Sequence, residues 1–107
     1  MVDDLHAQLK RELDTALHQA YLAAKRLGYH ATEFFQMLST MRGVMTEKTL
    51  INKPRSTGYS KLWEMGHLEL TVEAVVVDNE RFHRLFDPTE IARARKRLIE
   101  NGYTPRN

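Results

Sequence analysis

Apolar residues return every three or four positions along the first quarter of the chain: Leu5, Leu9, Leu13, Ala16, Ala20, Ala24 and Leu27. At about 100° per residue they form one stripe, which predicts an amphipathic helix over residues 3–27. Asp3 and Asp4 suit the positive end of its dipole, and Lys25 and Arg26 the negative end. Gly28 supplies a left-handed stop, with Tyr29 able to fold back on Ala24. Residues 16–27 are apolar nearly all round, because Tyr21 and Leu22 lie off the stripe. Such a segment sits centrally in a fold or meets a second subunit.

Residues 87–103 read as a helix with both ends written in. Asp87 can cap the free N–H groups, Pro88 suits the first helical position, and Glu90 sits where a capping-box carboxylate reaches back. Gly102 then stops the helix, and Tyr103 is placed to pack on Leu98. Between these helices the pattern is weaker. Thr32 or His30 can start a helix over residues 32–41, with Phe34, Phe35, Leu38 and Met41 inward and Gly43 at its end. Residues 44–52 make a piece with few large apolar residues (Val44, Met45, Leu50 and Ile51), and Lys53-Pro54-Arg55-Ser56-Thr57-Gly58 reads as a loop. Residues 59–65 read as a short helix closed by Gly66, and residues 81–86 as a turn of helix delivering Phe82, Leu85 and Phe86 to the core.

Residues 68–77 carry a conflict. Leu68, Leu70, Val72, Ala74 and Val76 alternate with Glu69, Thr71 and Glu73, the period of a half-buried strand. Thr71 ahead of Glu73 is also a helix start, and no partner strand is evident elsewhere. A lone strand leaves its backbone groups unpaired. Helix from about Val72 to Asp78 is therefore the expectation. The fold class that follows is all-α: one domain over residues 1–107, a compact bundle of five to six helices around the long N-terminal one.

Composition changes this picture little. With 42 % hydrophobic and 28 % charged residues the 107-residue chain is of ordinary globular type, with room for one core. Cysteine is absent, so disulfides and thiolate metal sites are excluded. No window approaches a membrane span, and the acidic start Met1-Val2-Asp3-Asp4 is unlike a signal peptide; a cytoplasmic protein without membrane partner is expected. Sixteen basic against fourteen acidic residues is too balanced for a nucleic-acid coat protein. The basic residues do gather late in the chain, at Arg93, Arg95, Lys96, Arg97 and Arg106.

Candidates for chemistry are few. His6, His18 and His30 recur every twelve residues, but on a helix that spacing leaves His6 and His18 about 120° apart. No histidine pair has the i, i+4 spacing of a helical zinc site. Glu69 and Glu73, with His67 before them, could bind a divalent ion or act as acid and base. No further oxygen ligand is identifiable, so no metal or cofactor is expected. With Ile91, Leu98 and Ile99 taken as inward, Arg95 falls within about 40° of the buried stripe of the last helix, while Arg93, Lys96 and Arg97 point out. An inward arginine needs a carboxylate, and Glu69, Glu73 or Asp78 could supply it. The outward Arg93, Lys96 and Arg97 could meet phosphates, extended by Lys48, Lys53, Arg55 and Lys61. A helix-turn-helix is not supported: with Gly43 as turn glycine, Arg42, Thr49 and Asn52 occupy positions that must be apolar, and with Gly66, Lys61 does. Nucleophile elbows and phosphate-binding glycine loops are missing.

The run Tyr59-Ser60-Lys61-Leu62-Trp63-Glu64-Met65-Gly66-His67-Leu68-Glu69-Leu70-Thr71-Val72-Glu73-Ala74, with Phe82, Leu85-Phe86 and the closing Arg95, Leu98 and Gly102-Tyr103, resembles short, uncharacterised helical bacterial proteins of mobile or accessory DNA. The likeness covers about residues 20–103. It implies one helical unit and helix at Val72, and it carries no activity and no residue role.

The reading is a non-enzymatic protein-interaction module, a homodimer through Tyr21, Leu22 and neighbours being one form of it. Its contact surface combines Lys53, Arg55, Tyr59, Trp63, His67, Glu69, Glu73 and Arg95. The alternatives are a nucleic-acid-binding accessory protein using Arg93, Lys96 and Arg97, and a small metal-dependent hydrolase built on His67, Glu69 and Glu73.

Overall fold

The computed structural model describes residues 2–29 and 57–106. The segments at 32–41 and 44–52, and the Pro54 loop with Lys53 and Arg55, lie outside the described residues. Helix α1 spans Val2–Arg26, α2 Thr57–Glu64, α3 Val72–Val77 and α4 Pro88–Glu100. Two 3₁₀ turns, Leu68–Leu70 and Glu80–Leu85, flank α3. Among the described residues there is no strand, and the fold is helical with one long N-terminal helix.

The stripe on α1 forms as its periodicity requires, but it is centred differently. Leu9, Leu13, Leu17, Ala20 and Ala24 are buried, whereas Leu5 and Leu27 at the ends of the expected stripe are about half exposed. Leu17, absent from that stripe, is fully enclosed. At the end of α1, Gly28 takes φ 95° and the Tyr29 N–H reaches the Ala24 carbonyl at 3.0 Å. Thr57 and Gly58, expected in the loop, lie inside α2.

Helix α3 decides the valine-rich conflict. Thr71, in extended backbone, receives the Ala74 N–H on its hydroxyl at 3.2 Å and so caps the helix. The same hydroxyl donates to the Leu68 carbonyl at 2.7 Å, which fastens the preceding 3₁₀ turn. All six residues of α3 are buried, Glu73 included. Val72, Val75 and Val76 join the leucines of α1, with Phe82, Leu85, Phe86 and Ile91, in the larger core cluster. Ala74 and Val77 face a second cluster with Tyr59, Leu68, Ala94 and Leu98, against which Tyr103 packs. An alternating pattern serves a helix here because neighbours enclose it on every side.

Helix α4 begins as its sequence specifies. Its capping box is closed from both sides, with the Asp87 N–H donating to Glu90 Oε1 at 2.9 Å. Arg81 ties the Glu80–Leu85 turn to α1 through Glu12 at 3.3 Å, and its guanidinium lies 4.6 Å over the Phe82 ring.

Candidate functional site

Two side chains that approach from α3 and α4 form a buried ion pair between those helices. Arg97 Nη1 donates to Glu73 Oε2 at 2.8 Å, with the side chains 11 % and 3 % exposed. The arginine that turns inward is thus Arg97, and the expectation that it points out beside Arg93 and Lys96 is corrected. The buried side of α4 is Glu90, Ile91, Ala94 and Leu98, while Ile99 is 56 % exposed. Replacing Ile99 by Glu90 and Ala94 in the inward set turns the centre of that stripe by roughly 60° toward Arg97 and away from Arg95. Arg95 is left half-buried at the edge of the helix. Burial pushes the Glu73 carboxyl above the ordinary carboxylate range, although the Arg97 hydrogen bond, the residue's own backbone N–H and the guanidinium charge pull it down.

The backbone of Arg97 is a second junction. Its carbonyl accepts the Tyr59 hydroxyl at 3.1 Å and the Asn101 side-chain amide at 2.7 Å, and that amide also donates to the Tyr59 oxygen at 3.1 Å. Tyr59 is therefore buried and engaged, and with Glu73 it is withdrawn from the outward contact surface expected of both. Asn101 carried no sequence signal beyond its place at the helix end.

The surface part of the expected site is smaller. Trp63 stands 46 % exposed on α2. His67 Nδ1 and Glu69 Oε2 meet at 2.8 Å on the surface. Glu73 does not join them, because Thr71 separates the Leu68–Leu70 turn from α3, so the two glutamates never share one helix. One carboxylate faces solvent and the other faces Arg97. Among the described residues no three His, Asp or Glu side chains are grouped as metal ligands.

On the outer side of α4, Arg93, Lys96, Arg97, Glu100 and Asn101 border a hollow of about 510 Å³. Lys96 reaches Glu100 at 3.9 Å there, a solvated i, i+4 pair. With Arg97 committed to Glu73, the basic face is reduced to Arg93 and Lys96. His6 and His18 are exposed on α1, and His83 donates from Nε2 to the Val77 carbonyl at 3.0 Å. Among the described residues no helix is long and apolar enough to cross a membrane.

Comparison with protein-family models, curated proteins and solved structures finds no match. The assignment of a role therefore rests on geometry alone.

Proposed function

We propose that the chain is a non-enzymatic protein-interaction module that associates through exposed apolar side chains, with self-association through the second half of α1 as its first form. The observation that carries this is Leu22. It lies about 180° round α1 from the centre of the buried stripe, stays 43 % exposed, and has the half-buried Tyr21 beside it. Trp63 on α2 adds a large apolar surface of the kind enriched at interfaces. Meanwhile the groups best suited to chemistry hold the fold together: Glu73 on Arg97, Tyr59 on the end of α4, Glu90 in its cap. The same reading takes residues 1–107 as one cytoplasmic domain, a bundle of five to six helices around α1.

Sedimentation equilibrium over a wide concentration range tests it. The mass is expected to rise above 12.5 kDa with concentration, and Leu22→Glu to hold it at the monomer value with unchanged helical circular dichroism. A wild-type monomer at every concentration, with no protein recovered on it from cells, sinks the reading.

A second reading has one observation in its favour, the hollow bordered by Arg93 and Lys96. Nucleic-acid binding there would weaken steeply with added salt and on charge reversal at Arg93. Absence of binding at low salt removes it.

A further inference from the structure

The segment that follows α4 is held in an unusual way. Gly102 takes φ 88° and turns the chain back, and the Tyr103 N–H reaches the Leu98 carbonyl at 3.0 Å. Residues 103–106 have no helical or strand structure of their own. Yet the Tyr103 ring packs against the cluster of Ala74, Val77, Ala94 and Leu98 that fills the seam between α3 and α4. Its hydroxyl donates to Asp78 Oδ2, and the Arg106 backbone N–H donates to Asp78 Oδ1 at 2.7 Å. One carboxylate thus fastens both ends of the segment, one oxygen to each.

Asp78 is a poor residue for the helix it ends. It is the C-cap of α3, where the dipole favours a cation over a carboxylate. Its position makes sense as an acceptor for the crossing segment. Bonds to an ionised acceptor are stronger than neutral ones, and they oppose the entropy lost in ordering a short irregular stretch. Those opposing quantities are of similar size, so the loss of one bond can tip the balance locally while the enclosed core of α3 stays shut.

We infer that residues 103–106 form a latch over the α3–α4 seam, hinged at Gly102 and fastened at Asp78, whose release uncovers the apolar surface of Ala94 and Leu98. This is independent of association through α1, since it concerns the opposite side of α3 and needs no second molecule.

Amide hydrogen exchange on the full chain, followed residue by residue by NMR, tests the latch. In the wild type the Arg106 amide is expected to exchange at least about tenfold more slowly than in a free peptide. Asp78→Ala should abolish that protection and Tyr103→Phe should diminish it; both should leave the α3 amides at wild-type rates and raise binding of an apolar-surface dye. Tyr103→Phe keeps the ring and removes only the hydroxyl, so it reads the latch even if the Asp78 variant does not fold. Peptide-like exchange of Arg106 in the wild type overturns the inference. So does undiminished protection in Tyr103→Phe, or acceleration spread equally over α3 and α4.

Discussion

Glu73 and Arg97, 24 positions apart in sequence, meet at 2.8 Å between α3 and α4, both nearly out of solvent. A pair so placed gains Coulomb energy and loses hydration in comparable amounts. What it contributes is better seen by breaking it than by counting it.

Removing one partner should cost more than removing both. Glu73→Leu leaves a guanidinium that cannot lose its proton, at a cost of about 3–5 kcal/mol. Arg97→Met should cost less, because a lone buried glutamate can take up a proton. The double variant Glu73→Leu/Arg97→Met should be neutral or more stable than wild type by roughly 1–4 kcal/mol. Urea unfolding of the four proteins measures all three differences. A double variant as damaged as Glu73→Leu would contradict the argument.

The pair also fixes the sign of a pH effect. Because burial raises the Glu73 carboxyl in the folded chain above its ordinary value of 4.5, the folded state binds the proton more tightly than the unfolded state does. Its contribution to stability is then fully present below pH 4.5 and is lost as pH rises through the raised folded value. Unfolding free energies of wild type minus Glu73→Gln should fall across that window and level off above it. A difference that grows with rising pH would show Arg97 outweighing desolvation.

Tyr103 should titrate late. Burial and the hydrogen bond to Asp78, with that carboxylate's charge, push its phenol up to about 12. The stability linked to it is intact below pH 10.0 and is lost as pH rises through about 12. Ultraviolet absorbance of the phenolate should contain a late step, missing in Tyr103→Phe and shifted down in Asp78→Asn. A Tyr103→Phe titration superimposable on wild type would refute this.

Gly102 should be costly to replace for backbone reasons alone. A Cβ built there meets nothing within 4 Å, but its φ of +88° is one that side-chain-bearing residues rarely adopt. Gly102→Ala should therefore cost about 1–2 kcal/mol and Gly102→Asn distinctly less, since asparagine tolerates left-handed backbone. Thermal unfolding compares them; equal losses for both would point to crowding.

What could be read from the sequence follows from how local each determinant is. The ends of α4 were legible at Asp87, Pro88, Glu90 and Gly102, because a cap and a stop are settled within five residues. The helix at Val72 was legible through Thr71, whose hydroxyl performs the capping its position suggests. Arg97 was not, because its direction depends on whether Ile99 is covered, and no rule within α4 says which side meets α3. The partners of Tyr59 were hidden for the same reason, being the Arg97 carbonyl, 38 positions away, and the Asn101 amide, 42 positions away. Asp78 did stand among the carboxylates expected to serve an inward arginine; its contacts with the Tyr103 phenol and the Arg106 backbone N–H were not legible.

A helix of six residues has no independent existence in water, since so short a segment cannot repay its own nucleation. Helix α3 persists because α1, α4 and both flanking turns enclose it, so among the described elements it is the last that can open and the least able to open alone. Its slowest amides should report the free energy of undoing the whole described fold, and any fragment lacking α1 or α4 should lose α3 at once.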